Sequence, residues 1–176
     1  MAGPPHIPVT IRSFLPEDHA ACQLLYREGL IGGKLAANDT GLDLEDIPLA
    51  YLSNPGFHFW VAQAPEGDIV GMIGVQQDDD GVAEIRRLRV RQDCRRRGIG
   101  SSLLETAIGF CRRNMFLKVK LDTYAENDTT VQLFEKFQFR HSHARIIGER
   151  KLRYFYLDLY LSEPAPRRKR PPRSEA

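Results

Sequence analysis

The stretch from Ala83 to Leu104, AEIRRLRVRQDCRRRGIGSSLL, constrains this chain more than any other. Ile85 and Leu88 are three apart while Leu88 and Val90 are two apart, so a strict strand period fails near Arg86 and Arg87. A β-bulge absorbs the extra residue, keeps all three apolar side chains inward and leaves backbone groups unpaired beside it. Downstream, Gly98 and Gly100 open a helix whose first N–H groups have no intrahelical partner, and these groups and the helix dipole attract an anion. Neither glycine has a Cβ to block a close approach. Arg95, Arg96 and Arg97 add mobile positive charge at the same point. The pattern describes a polyphosphate cradle. A turn of solvated arginines before an ordinary helix has the same local signature, so the rest of the chain must decide.

A chain of 176 residues supports one domain with a substantial core. At 42% apolar and 27% charged residues it reads as a soluble globular protein. The net charge of +2 provides no whole-molecule field for nucleic acid. Its excess sits in PAPRRKRPPR, with Arg167, Arg168, Lys169, Arg170 and Arg173. RRKRPPR reads as a nuclear-import signal or a nucleic-acid contact, and equally as a solubilising end. Cys22, Cys94 and Cys111 cannot all pair and lack C-x-x-C spacing, so reduced thiols and a cytoplasmic address are expected, with nuclear entry depending on the tail. No apolar run approaches the ~18 residues of a membrane helix, so no membrane segment is expected.

Domain boundaries follow from composition: a flexible arm over 1–8, one domain over 9–161, and a basic, proline-rich disordered tail over 162–176. Within the domain, Val9–Phe14 alternates as a strand. Pro16, Glu17 and Asp18 begin a helix whose apolar face is read from Ala20, Ala21, Leu24 and Leu25. A second helix over Leu42–Leu52 is bent at Pro48. Phe57–Ala62 and Ile69–Val75 form a hairpin across Pro65–Asp68, and two glycines in the return strand imply a close neighbour. Asp78, Asp79 and Asp80 read as a solvated hairpin tip rather than a metal site. After Gly100, the stripe Leu103, Leu104, Ala107, Ile108 and Cys111 has helical spacing. Leu117, Val119, Leu121 and Thr123 alternate as a strand, and Asn127 or Asp128 caps a helix carrying Val131, Phe134 and Phe137. Arg140–Ile147 and Leu152–Leu161 close the sheet. His141 and His143, two apart, are expected on one face, and Cys94 among arginines is a candidate for a lowered pKa.

A bulged strand, R-x-x-G-x-G opening a helix, a second alternating strand, and NDTTVQLFEKFQF from Asn127 to Phe139 together resemble the GNAT superfamily of acyl-CoA N-acyltransferases, over about Val9 to Leu161. Asp46–Val75 further resembles the camello-like branch, without that branch's membrane segment. The resemblance implies an α/β (α+β) fold: a mixed central sheet of about seven strands, splayed between the fourth and fifth, flanked by about four helices. It also implies acetyl-CoA as acyl donor, bound by N–H groups from Arg96, Arg97, Gly98, Ile99, Gly100 and Ser101, with Arg95 at the start of the signature. Leu88 and Val90 would pair with the pantetheine arm, and Asn127 would touch the coenzyme. No metal is implied.

The implied activity is N-acetyl transfer to a primary amine of a small molecule or a protein. The N–H of Leu88 would bind the developing oxyanion. Glu84 occupies the strand position used as general base by histone-type members of the family, unless it simply pairs with Arg86 or Arg89. The family's tyrosine acid is Phe134 here, and its glycine before the closing phenylalanine is Gln138. Tyr124 is a substitute acid, unless its hydroxyl is taken up elsewhere. Two other readings stay open: an acyl-CoA-binding regulatory protein with weak or no catalysis, and a dinucleotide-binding module. Leu103 stands where G-x-G-x-x-G wants a small residue, which weakens the latter.

Overall fold

The computed structural model describes residues 6–29, 37–124, 126 and 128–160. Seven strands form one mixed sheet in the order β1-β2-β3-β4-β5-β7-β6. Strands β1 (Thr10–Ser13), β2 (His58–Gln63), β3 (Ile69–Asp79) and β4 (Val82–Val90) are antiparallel neighbours. β5 (Lys118–Tyr124) runs parallel to β4, and β7 (Arg150–Asp158) and β6 (Arg140–Ile147) complete the sheet antiparallel. Among the described residues three α-helices flank it, α1 (His19–Glu28), α2 (Ile99–Arg113) and α3 (Asp128–Lys136), together with short 3-10 and π turns. The expected helix over Leu42–Leu52 is a 3-10 turn at Leu42–Leu44 and a π-turn at Pro48–Leu52, broken where proline has no N–H to donate.

Each face of the sheet carries its own core. Helix α2 buries Leu103, Leu104, Ala107 and Cys111 against Ile73, Ala83, Ile85 and Val119, as its stripe predicts. On the other face, α1 and the turns at Leu42–Leu44 and Pro48–Leu52 bury Leu25, Tyr26, Leu44 and Tyr51 against Phe59 and Met72. The two glycines of β3 are explained by these neighbours: a Cβ at Gly71 would lie 2.9 Å from Leu103 Cδ1, and one at Gly74 2.6 Å from Tyr51 Cε1.

Several expectations are corrected. The inward face of α1 is Cys22, Leu25 and Tyr26, and Leu24 is exposed, because one residue turns the helix by ~100°. Leu117 is exposed, since its N–H already bonds to Gly81 and the strand begins one residue later. His141 and His143 do not share a face: a register shift between them sets His141 against Phe155 and stacks His143 on Tyr154 at 4.4 Å. Cys94 is buried in the core, and burial raises its thiol pKa instead of lowering it.

Candidate active site

The backbone from Arg95 to Ser101 has the conformation of an anion cradle. Arg95 is extended, Arg96 turns left-handed at φ 60°, and Gly98 does so at φ 84° as the N-cap of α2. The first intrahelical bond runs from the Ser102 N–H to Gly98 at 3.0 Å. Among the described residues, no N–H from Arg96 through Ser101 donates to a backbone carbonyl, so the row stays available to an anion. Ile99 is buried and offers only its backbone, while Arg95 and Arg96 are exposed and Arg97 and Ser101 half-buried. Arg95 also anchors the loop, donating from Nε to the Val90 carbonyl at 3.1 Å. His6 lies over the loop: a Cβ on Gly98 would meet its Cδ2 at 2.9 Å. A coenzyme's diphosphate fits this cradle by charge and by the unpaired donors.

β4 leads from the cradle to an open seam. Gly74 faces Arg86 and Met72 faces Arg89, so three steps on β4 match two on β3, and the extra residue falls at the expected bulge. Arg87, at the bulge, has φ 60°. Ile85, Leu88 and Val90 all contact the α2 core as predicted. β4 pairs with β5 only from Val82 to Glu84, opposite Lys118 to Lys120, and the strands then part. Past Glu84 the β5-facing edge of β4, including Leu88 and Val90, has no strand partner among the described residues, which is where an extended pantetheine arm would add.

On the α1 side of this seam the side chains are chiefly charged. Arg87 is buried and forks onto two carboxylates: Asp39 at 2.6 and 2.8 Å, and Asp43 through Nε at 2.9 Å and through Nη2. Its guanidinium lies 5.1 Å from the Tyr26 ring centroid, and Tyr51 donates its hydroxyl to Asp43. Burial opposes ionisation of Asp39, but the Arg87 hydrogen bonds and charge prevail and hold it at about 2. Asp43 is lowered for the same reasons. This cluster ties the loop before the Pro48 turn to the bulge. Sequence reasoning missed it, because no local spacing links positions 39, 43 and 87.

Glu84 and Asp122 occupy the seam itself. Arg86 donates to Gln76 at 3.1 Å and Arg89 to the Leu88 carbonyl at 2.9 Å, so neither takes up Glu84. Asp122, on the parted stretch of β5, is exposed to solvent at the edge of the seam. Desolvation by the neighbouring protein, and then the Glu84 charge, raise its carboxyl above the usual range, against Arg86 and Lys120. Tyr124 donates its hydroxyl to Asn38 at 2.6 Å and lies under Arg150, 3.7 Å from its ring centroid. Phe134 is far from this role by packing, buried against Phe139 and Phe155. Asn127 lies outside the described residues.

The sequence profile of the acetyltransferase (GNAT) family matches residues 23–139. The chain belongs to the GNAT acetyltransferase family. It is 33% identical over 100 residues to N-acetylaspartate synthetase of Xenopus tropicalis, covering 56% of this chain and 36% of that protein. Similarity to the probable N-acetyltransferase camello of Xenopus tropicalis is 32% over 115 residues, 64% of this chain and 52% of that one. Human N-acetyltransferase 8 matches at 34% over 103 residues, 56% and 45% of the two chains. The chain thus spans about a third to a half of these relatives. Among solved structures, a GNAT-family acetyltransferase of Staphylococcus aureus Mu50 superposes with TM-score 0.75 at 21% identity, over 86% of this chain and 99% of that one. The ribosomal-protein-alanine N-acetyltransferase of Brucella melitensis gives 0.71 at 23%, over 85% and 99%. No described helix is long and apolar enough to cross a membrane.

Proposed function

We propose that the chain transfers an acetyl group from acetyl-CoA to a primary amine by direct attack on the thioester. The row of unpartnered N–H groups from Arg96 to Ser101, at the end of a strand whose edge is open, carries this reading. The diphosphate binds the row, Arg95, Arg96 and Arg97 screen its charge, and the pantetheine arm lies along Leu88 and Val90. The thioester then falls at the bulge, where the Leu88 N–H donates to the oxyanion. A carboxylate of the seam, expected at Glu84, takes the amine's proton. Sulfur leaves as thiolate and takes a proton from water, because the Tyr124 hydroxyl already donates to Asn38.

A second reading, an acyl-CoA-binding regulator without turnover, is favoured by one observation: Phe134 replaces the family's tyrosine and is sealed in an aromatic cluster. A thiol-release assay separates the two. The acceptor panel includes aspartate and other amino acids, cysteine conjugates, polyamines, peptide N-termini and lysine peptides. Turnover with any of them supports transfer, and coenzyme binding without thiol release across the panel supports the regulator.

A further inference from the structure

The parted strands leave two carboxylates on the α1 side of the seam, at different depths. Glu84 is the last residue of β4 that pairs with β5, so it lies at the floor of the opening. Asp122 is two residues beyond Lys120, the partner of Glu84, so it stands on the free lip of β5 at the level of Arg86. That is also the level of the bulge, where the proposed thioester carbon lies. Asp122 therefore lies nearer the open end of the seam than Glu84.

Apart from Glu84, the polar neighbours of Asp122 are already engaged. From β4, Arg86 is held by Gln76, and Glu84 makes no ion pair or hydrogen bond with its side chain among the described residues. On its own strand, Lys120 pairs with Asp78 at 2.6 Å, and Tyr124 bonds to Asn38 beneath Arg150. Directly across on β7 stands Tyr154, stacked on His143 and lying 5.9 Å from the Arg145 guanidinium. From the loop after α1, Asp39 is held by Arg87. Asp122 itself forms no ion pair among the described residues. It is a solvent-exposed carboxylate, diagonally across the seam from Glu84.

We propose that Asp122 is the group that takes the amine's proton, and that Glu84 is a positioning residue acting through it by placing a second negative charge below. This rests on the acetyl-transfer reading, and it moves the base role one strand across from where the sequence puts it. The nitrogen lone pair forms the C–N bond at the thioester carbon as the carbonyl opens to an oxyanion. Asp122 accepts the proton released from nitrogen. The oxyanion collapses, the C–S bond breaks, and its electron pair departs on the coenzyme sulfur, which is then protonated. Desolvation by the neighbouring protein and the Glu84 charge both make Asp122 a stronger base than an ordinary carboxylate.

Two measurements test this. Carboxyl-resolved carbon-13 NMR of the full chain, titrated between pH 3 and 8, is expected to show Asp122 titrating above the ordinary carboxylate range and moving down in Glu84→Gln. An ordinary midpoint that Glu84→Gln leaves in place overturns the proposal, and this arm needs no acceptor. With an acceptor from the panel, Asp122→Asn is expected to lower kcat/KM by about 10²-fold or more at neutral pH. Coenzyme affinity and melting temperature should be unchanged, and the loss should shrink as pH approaches the amine's own pKa. Glu84→Gln is expected to cost less and to shift the acid limb of the profile downward. A large loss in Glu84→Gln with near-normal Asp122→Asn returns the base to Glu84. Failure of the wild-type chain to bind coenzyme A at all overturns the acetyl-transfer reading instead.

Discussion

The two sides of the seam are built from different materials. The cradle side is backbone: a left-handed turn, a glycine N-cap and unpaired amides, all within Arg95–Ser101. The α1 side is side chains: Arg87 with Asp39 and Asp43, Glu84 with Asp122, and Tyr124 with Asn38, drawn from segments up to 86 residues apart. A site made of main chain is the same for every amino acid that tolerates its dihedrals, so it suits an invariant cosubstrate. A site made of side chains changes with each substitution, so it suits the variable acceptor. The difference is open to experiment, since one substitution on each side should disable that side and spare the other.

The largest effect is expected at Arg87. Replacing it by Met keeps much of its volume but leaves Asp39 and Asp43 facing each other, both largely buried, with no cation between them. Removing one member of a buried ion cluster typically costs about 3–5 kcal/mol. Urea unfolding of Arg87→Met should show a loss of this size, with coenzyme affinity in the remaining folded protein within a few-fold of wild type. A loss below about 1 kcal/mol would mean that the cluster does not tie the loop to the bulge.

Gly98→Glu is the reciprocal test. It places a Cβ at φ 84° beside His6 and aims a negative charge at the amide row. Affinity for coenzyme A is expected to fall about 100-fold, which corresponds to about 2.7 kcal/mol. The melting temperature should drop only by the strain of one left-handed residue, roughly 1–2 kcal/mol of stability. Isothermal titration and a thermal melt on the same sample measure both. If Gly98→Glu binds coenzyme A normally, the cradle is elsewhere.

The same contrast explains what the sequence made readable. The bulge was visible because Ile85, Leu88 and Val90 break a period of two, and the helix stripe from Leu103 to Cys111 because its spacing is 3.6. Both are local patterns imposed by a continuous core. The Arg87 cluster was invisible because its charges are joined only by the loop's path, and arginine beside leucine in a strand reads as solvent-facing. In sequence Asp122 belongs to the polar half of an alternating strand, as it does in the fold. Its special position comes from the parting of β4 and β5, a tertiary event that leaves no mark in residues 117–123. The pairing of His141 with His143 failed for a similar reason: alternation presumes an unbroken register, and the shift between them has no glycine or proline to announce it.

Acid sharpens the comparison further, since it should act on the α1 side first. Asp39 is held at about 2 in the folded chain, against an ordinary value of 3.8. The folded form therefore binds this proton less readily than the unfolded form. Its stabilising contribution is full above about pH 4 and is lost as pH falls through about 2. At about 1.4 kcal/mol per unit, the contribution is about 2 kcal/mol. Asp39→Asn should be less stable than wild type by about that amount at pH 6, and the difference should vanish near pH 2. Unfolding midpoints at pH 6, 4, 3 and 2 measure it, and a difference that stays constant with pH would assign the loss to packing rather than charge.

The smallest effect is expected where neither side of the seam is touched. Helix α3 ends in a Schellman turn: the Phe139 N–H bonds to Phe134 at 3.0 Å and the Gln138 N–H to Glu135 at 2.9 Å, with the Phe134 and Phe139 rings 5.8 Å apart. The residue between them, Gln138, is exposed at φ 66°, the conformation that the family's glycine adopts freely. A non-glycine residue there costs roughly 1–2 kcal/mol, of which glycine's greater unfolded-state entropy would return 0.5–1. Gln138→Gly should therefore stabilise the chain by about 0.5–1 kcal/mol and leave coenzyme affinity as it was. The turn closes onto Phe134, so a gain in stability accompanied by a gain in affinity would show that the α3 terminus communicates with the seam. A gain in stability alone keeps the aromatic cluster a matter of folding, and keeps the chemistry on the two parted strands.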